Sequence, residues 1–325
     1  MKRMKYLITI LLFSLSLLQI GLAKEETDAE SLIKAYIESR QDPNQKPLKY
    51  VTDEQLKNAN PQKLLALLAI YDSNESYTVR RLALSFEFSI ANIYPTSDIR
   101  QEVAKRFVRD FVDPNSNTSS HSYECLLSFT KDDFNESSRE MLHNALSEKN
   151  PSGRIFKICG VADMKEELPR LKEFTIDEKE YMNDNPIIKK YYPWYITKGW
   201  SARLARARMG VKEEIIKCIE LAETVENEHD RVEIMLPQIG YIRQPEAIEY
   251  LTRYFERNWQ LPSEITSSSI GESYSKWVIL DILATSLKNF PVKPATPVNG
   301  RQYTKEDLEL CHKWILEQKE WQIVR

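Results

Sequence analysis

Glycine is scarce in this sequence, with eight residues among 325. Hairpin turns and bulges in sheets depend heavily on glycine, so a fold made of many short strands with tight turns is disfavoured. Apolar residues recur instead at the spacing of helical faces along most of the chain. The sequence therefore predicts an all-α protein.

The motifs that usually mark an enzyme are also missing. The sequence has no Gly-x-Ser-x-Gly, no glycine-rich phosphate loop, no His-Glu-x-x-His and no Cys-x-x-Cys. We therefore predict no catalytic residue and no cofactor. A non-enzymatic protein is favoured, and an enzyme stays open.

Positive charge is not in excess. The 45 lysine and arginine residues face 48 acidic residues, which gives a net charge of −3 at pH 7. Nucleic acids and anionic membrane surfaces attract proteins through an excess of basic side chains. The charge balance predicts no nucleic-acid partner and no attachment to such a membrane surface.

Cysteine is limited to four residues, Cys125, Cys159, Cys218 and Cys311. An even number permits disulfides in an oxidising compartment. Cys218 and Cys311 nevertheless lie among apolar residues on helical faces, where a cysteine acts as a small core residue. If a disulfide forms, we expect it between Cys125 and Cys159, whose separation resembles one helical repeat.

The N-terminal residues combine basic side chains with a hydrophobic stretch. Lys2, Arg3 and Lys5 precede an apolar stretch at residues 6–18, and small residues lead to Ala23. This pattern is typical of a cleaved signal peptide, and the stretch is shorter than the roughly 20 residues of a membrane span. We predict a signal peptide at 1–23, export to the periplasm or outside the cell, and no membrane insertion after cleavage.

Three segments repeat one pattern, in which an apolar helical run ends on a hydrophobic residue plus glycine. The copies are Cys159-Gly160, Met209-Gly210 and Ile239-Gly240, and a second amphipathic run follows each one. A recurring helix-glycine-helix unit is the sequence signature of stacked helical hairpins. We expect the three glycines to mark equivalent turns.

Two helices carry apolar residues on two faces. The segment 78–93 has one stripe with Val79 and Phe86 and a nearly opposite stripe with Leu84, and the segment 199–210 shows the same arrangement. Two apolar stripes predict contact with neighbours on both sides. The helices predicted beside them carry one stripe each and span residues 98–111, 164–174, 212–225 and 245–257.

These segments resemble the HEAT-like repeat proteins of bacteria, within the armadillo-type α-solenoid class. The resemblance rests on Tyr-Thr-Val-Arg-Arg-Leu-Ala at 77–83, Trp-Ser-Ala-Arg-Leu-Ala-Arg-Ala-Arg-Met-Gly at 200–210 and Ile-Gly-Tyr-Ile-Arg-Gln-Pro-Glu-Ala-Ile at 239–248. It implies a right-handed α-solenoid of stacked antiparallel helical hairpins. The tetratricopeptide repeat fits poorly, because Asp163, Glu213 and Arg243 stand where that repeat has tyrosine.

The predicted domain organisation follows from these segments. Residues 24–60 form an N-terminal helix and linker, and residues 61–325 form a single solenoid domain. An insertion is expected near 175–195, and long loops rich in proline, serine or threonine are expected near 258–273 and 290–303.

Metal and acid sites are weakly signalled. Glu140 with His143, and Glu226 with His229, have the Glu-x-x-His spacing of di-iron bundles, but neither pair lies on an apolar face. We therefore predict no metal site. Asp281 interrupts an apolar run, and we expect it to be paired with an arginine or a backbone donor rather than to act as a site acid.

Aromatic residues give one candidate binding surface. Tyr191, Tyr192, Trp194 and Trp200 lie close together in sequence, and tyrosine and tryptophan are enriched at binding hot spots. Such residues also stack on sugars, so a glycan or other small ligand is an alternative to a protein partner. Packing within the predicted insertion is the alternative structural interpretation.

A second candidate surface lies on the helix at 245–257. Tyr250, Arg253, Tyr254 and Arg257 fall outside its main apolar stripe. The resemblance implies that this helix lines a concave surface, so we predict that the four residues bind a protein or peptide. The favoured function is a scaffold for such a partner, and a HEAT-like lyase-type enzyme is the remaining alternative.

Overall fold

The computed structural model describes residues 28–40, 51–72, 74–175, 195, 197–257, 259, 270–294 and 303–324. Regular structure in these ranges is helical, apart from an isolated antiparallel bridge between Leu287 and Ile323. The prediction of an all-α protein is confirmed. Among the described helices, none combines the length and hydropathy needed to cross a bilayer. The predicted signal peptide and most of the predicted insertion and loops lie outside the described residues.

The chain divides into two compact units. Unit 1 comprises Met1–Ser128 and Asp132–Ser138, and unit 2 comprises Phe129–Lys131 and Arg139–Arg325. The range 61–325, which we predicted as one domain, contains parts of both units.

Unit 1 is formed by helices joined through short turns. Its described helices are α1 (Asp28–Ser39), α2 (Asp53–Lys57), α3 (Pro61–Leu68), α4 (Tyr77–Ile93), α5 (Ser97–Val112), α6 (Ser119–Leu126) and the first residues of α7 (Glu136–Leu146). The start of α3 matches its sequence signal, because the Asn60 side chain accepts a hydrogen bond from the Lys63 amide and Pro61 occupies the first turn. Both predicted stripes of α4 are buried, including Val79, Leu84 and Phe86.

Unit 2 contains the remaining described helices. They are α8 (Gly153–Val161), α9 (Leu168–Glu173), α10 (Lys198–Arg208), α11 (Lys212–Glu223), α12 (Glu228–Asp230), α13 (Leu236–Ile242), α14 (Pro245–Arg257), α15 (Ile270–Ser286) and α16 (Lys305–Glu317). A π-helical turn at Arg231–Met235 connects α12 to α13. Helix α10 contacts α8 and α13, and α13 in turn contacts α15. Almost every residue of α10 is buried, which confirms the prediction that it is enclosed on both sides.

The three repeated glycines are not equivalent, so our prediction about them is wrong for two. Gly160 and Gly240 lie inside α8 and α13, whereas Gly210 follows α10 with φ at +90°. The residues with positive φ that follow the other two helices are Asp163, at 52°, and Arg243, at 49°. The turns therefore align at Asp163, Gly210 and Arg243.

The glycines within helices serve close packing instead. A Cβ on Gly160 would lie 3.0 Å from Cα of Ala205 in α10, and a Cβ on Gly240 would overlap Ile282 in α15. The residues three positions before the aligned turns are all small, namely Gly160, Ala207 and Gly240. The repeated feature is thus a small residue in the last turn of a helix, not a glycine at its end.

All four cysteines are buried free thiols. Burial raises the pKa of the Cys125 and Cys311 thiols to about 12. The prediction that Cys218 and Cys311 act as core residues is confirmed, and Cys125 and Cys159 are not joined. Asp281 has a partner of a kind we did not predict, because the Tyr303 hydroxyl donates a hydrogen bond to its carboxylate.

Candidate functional site

A small pocket opens in unit 1 beside α4 and α5, with a volume of about 120 Å³. Its walls carry three arginines and three aspartates over an apolar floor. The lining residues are Tyr71, Asp72, Arg80, Ala83, Leu84, Arg106, Arg109, Asp110 and Asp113. We call it the unit 1 pocket.

Helical spacing places these side chains together. Arg109 and Asp110 lie three and four residues after Arg106 on α5, and such offsets share one helix face. Asp113, seven residues after Arg106, caps the end of the helix. Arg80 lies at the corresponding offsets from Ala83 and Leu84 on α4. Tyr71 is the last residue of the 3₁₀ turn that follows α3, and Asp72 caps that turn.

Asp110 fixes one wall of the pocket. Its carboxylate accepts hydrogen bonds from Nη2 of Arg80 at 2.6 Å, from the Ser116 and Ser122 hydroxyls at 2.6 Å and from the Thr118 hydroxyl at 2.8 Å. A carboxylate with four donors is held in place and stays an acceptor for its own partners. Asp110 therefore orients Arg80 rather than offering a free charge to a ligand.

Arg106 forms the inner wall and reaches a buried carboxyl group. Its Nη1 donates to Oε1 of Glu87 at 2.8 Å and to the Leu65 carbonyl at 2.9 Å, and its Nε donates to Glu102 at 3.0 Å. Glu87 is fully buried, and its Oε2 has no hydrogen-bond partner in the described part of the chain.

The environment of Glu87 changes its protonation. Burial raises its pKa to about 8, although the Arg106 guanidinium acts in the opposite direction. At neutral pH the buried carboxyl group is mainly protonated, because a charged carboxylate is poorly solvated there. The positive charge of Arg106 is then not cancelled by Glu87.

Arg109 and Asp72 stand at the open side of the pocket. Nη2 of Arg109 lies 2.5 Å from Oδ2 of Asp72, and 59% of the Arg109 side chain is exposed. Burial raises the pKa of Asp72, while Arg106 and Arg109 lower it. The pocket thus offers guanidinium donors next to carboxylate acceptors, an arrangement suited to binding charged groups by hydrogen bonds.

The aromatic surface predicted from the sequence is only partly described. Tyr191, Tyr192 and Trp194 lie outside the described residues. Trp200 is 1% exposed, and its indole N–H donates to the Gln238 side chain. Its place on a binding surface is a wrong prediction, since Trp200 packs in the core of unit 2.

The second predicted surface, on α14, is less exposed than we predicted. Tyr250 and Tyr254 are 7% and 6% exposed, so the expectation that they lie outside the buried stripe is wrong. The reason is that α14 contacts α11, α13 and α15, which cover a wider face than one stripe. The Tyr254 hydroxyl donates a hydrogen bond to Glu228, and burial raises the pKa of Tyr254 to about 12.

The arginines of that surface are exposed. The Arg253 and Arg257 side chains are 63% and 64% exposed, and they pair with Glu249 and Glu223. Exposed pairs of this kind contribute little to stability and remain available to solvent.

The Glu-x-x-His pairs are placed as expected from their polar surroundings. His143 pairs with Glu167, and Glu226 and His229 are both exposed. The described residues contain no group of three or more histidine, cysteine, aspartate or glutamate side chains positioned for a metal ion.

Sequence reasoning missed Glu87 and Arg106. A usable signal existed, because Glu87 stands between Phe86 and Phe88 in an otherwise apolar stretch, as Asp281 does in its own helix. A carboxyl group at such a position is either paired or protonated. The partner Arg106 could not be named, since it lies on the polar side of the next helix.

No protein-family model, curated protein or solved structure matches this chain. The HEAT-like resemblance therefore stays a prediction from the sequence.

Proposed function

We propose that this protein is an exported, non-enzymatic α-solenoid of HEAT-like hairpins that binds a peptide segment of a partner protein. The ordered contacts of α8 with α10, of α10 with α13 and of α13 with α15 support the solenoid. The recurring turn at Asp163, Gly210 and Arg243 supports it as well. The leader at residues 1–23 supports export.

The observation that carries the binding proposal is the mixed charge of the unit 1 pocket. Repeat proteins bind extended partners on surfaces made by successive helices, and the pocket lies on two successive helices, α4 and α5. Its volume of about 120 Å³ suits a side chain better than a whole cofactor. We assign it to an acidic side chain of the bound peptide.

The preference for an acidic group follows from the arginines. Arg80 is neutralised by Asp110. Arg106 has two carboxyl partners, of which Glu87 carries no charge when it is protonated and Glu102 is 47% exposed, so water screens the remaining pair. Arg109 contacts Asp72 through Nη2, so its other guanidinium N–H groups are not used in that contact, and its side chain is more than half exposed. A carboxylate that enters between Arg106 and Arg109 would accept charge-assisted hydrogen bonds from both.

Peptides selected from a random display library on the wild-type protein should therefore be enriched in aspartate and glutamate. We expect Arg109→Glu to weaken their binding by about tenfold or more, since a like charge replaces a charge-assisted hydrogen bond. Fluorescence anisotropy with a labelled peptide measures the affinity. A peptide in which lysine replaces the acidic residue should bind the Arg109→Glu variant more tightly than it binds the wild-type protein.

Arg253→Glu is the matched control, because Arg253 is similarly exposed and also paired with a carboxylate. It should leave the affinity unchanged. Equal losses in the two variants, or selected peptides without acidic residues, would refute the assignment of the unit 1 pocket.

A further inference from the structure

Three basic side chains surround Tyr241 in unit 2. Cζ of Arg208 lies 4.8 Å from the centre of the tyrosine ring, and Nζ of Lys157 lies 6.0 Å from it. Arg243 lies two residues after Tyr241, directly after the end of α13. Burial lowers the pKa of Arg243 to about 10, and the nearby charge of Arg208 acts in the same direction. We call Lys157, Arg208 and Arg243 the basic cluster.

The two arginines of this cluster are buried without a carboxylate. Arg208 and Arg243 are 7% and 9% exposed, and neither forms an ion pair within the described residues. The buried arginines nearby behave differently, since Arg203 and Arg206 both bind Glu214. Buried cations are costly unless they are paired, so the basic cluster is an exception within unit 2.

Backbone carbonyl groups satisfy only part of this charge. Nη1 of Arg208 donates to the Tyr241 carbonyl, and Nη1 of Arg243 donates to the Val324 carbonyl at 3.3 Å. The carbonyl end of a helix favours a cation, which accounts for the contact with Tyr241 in the last turn of α13, whereas Val324 lies beyond the last helix. Nη2 of Arg208 is nevertheless buried and makes no hydrogen bond in the described part of the chain.

The acidic side chain whose charge acts on Arg208 does not complete the site. Asp163 acts on Arg208 through space, but its carboxylate lies 3.6 Å from Nζ of Lys165 and is not bonded to Arg208. A bound anion would supply the missing acceptor, because guanidinium groups match planar and tetrahedral oxyanions with paired hydrogen bonds.

We propose that Arg208 and Arg243 bind one oxyanion, a carboxylate or a phosphate group, at the buried Nη2 of Arg208. Lys157 adds positive charge from the other helix that borders Tyr241. This site is separate from the unit 1 pocket, because it uses other residues in the other unit. It does not depend on the peptide proposed for that pocket.

The test is a titration of the purified full chain with sodium phosphate and, separately, with sodium acetate. Ionic strength is held constant with sodium chloride, since phosphate also stabilises proteins without binding them. Isothermal titration calorimetry measures both anions, and ³¹P NMR line widths check the phosphate series. We expect saturable binding of one anion per chain by the wild type, and affinity lower by about tenfold or more in Arg243→Gln and Arg208→Gln.

The variants are chosen so that the result is decisive. Circular dichroism checks folding, and Arg243→Gln gives the answer if Arg208→Gln fails to fold. Arg253→Gln, an exposed arginine of α14, is the control and should bind like the wild type. Binding of phosphate alone points to a phosphorylated ligand, and binding of acetate alone points to a carboxylate ligand. Absence of saturable binding of both anions, or an equal loss in Arg253→Gln, would overturn the proposal.

Discussion

The free energy of unfolding should fall by about 3 kcal/mol between pH 5 and pH 8 because of Glu87. Its pKa is about 8 in the folded protein and close to the ordinary value of 4.5 in the unfolded chain. The folded state therefore holds a proton that the unfolded state has released. This contribution to stability is complete below pH 4.5, declines as the pH rises, and is lost above about pH 8.

Urea unfolding at several pH values measures this effect directly. Glu87→Gln imitates the protonated carboxyl group and cannot ionise, so its stability should be nearly flat where the wild type declines. At pH 8 the variant should be more stable than the wild type by about 3 kcal/mol. Parallel curves for the wild type and Glu87→Gln would contradict the prediction.

Glu102→Gln is the matched control. Glu102 also binds Arg106, at 3.0 Å, but its side chain is 47% exposed. Water solvates its charge, so we expect the control to keep the pH slope of the wild type. Arg106→Met should instead extend the decline to higher pH, because Arg106 lowers the pKa of Glu87.

The helices were predictable because local signals and packing agree. The Asn60-Pro61 start of α3 and the two apolar stripes of α4 and α10 each indicate one structure, and the observed helices follow them. Apolar periodicity reports which faces a helix buries, and most of each element depends on that alone.

The turns were aligned incorrectly because the sequence signal was chemically ambiguous. Glycine can supply a positive φ or allow close approach of a neighbour, and both uses look the same in a sequence. The residues with positive φ at the other two turns are Asp163 and Arg243, and neither is a glycine that the sequence could have indicated. Only contacts with α10 and α15 separate the two uses.

The candidate sites depend on contacts between residues far apart in sequence. Glu87 meets Arg106, and Arg208 meets the end of α13, through pairings of helices that composition does not specify. Tyr250 and Tyr254 failed as surface predictions for the same reason, since the helices that cover them come from elsewhere in unit 2. Charge in a sequence indicates that a partner exists, and the fold decides which one.

Gly160→Ala should lower the free energy of unfolding by about 3 kcal/mol, as overpacking at this position is combined with a lost hydrogen bond. The new methyl group would lie 3.0 Å from Cα of Ala205, which is backbone and cannot rotate away. It would also overlap the Tyr241 hydroxyl, which donates to the Lys157 carbonyl at 2.5 Å. Either α8 moves away from α10, or the tyrosine leaves its acceptor.

Two other glycines separate this steric effect from other effects of adding a methyl group. Gly153→Ala brings its Cβ within 2.8 Å of the Ser201 hydroxyl, which can rotate, and 3.0 Å of the Ser201 Cβ, which cannot, so the loss should be about 1 kcal/mol and smaller than in Gly160→Ala. In Gly210→Ala the Cβ would meet the Gln244 side chain only at an ordinary contact distance of 3.8 Å, but φ is +90°, and backbone strain should cost about 1 kcal/mol. Urea unfolding of the three variants at one pH gives the comparison. A loss in Gly160→Ala no larger than in Gly210→Ala would show that α8 and α10 can separate freely, and that the small residue in the last turn of α8 does not set their approach.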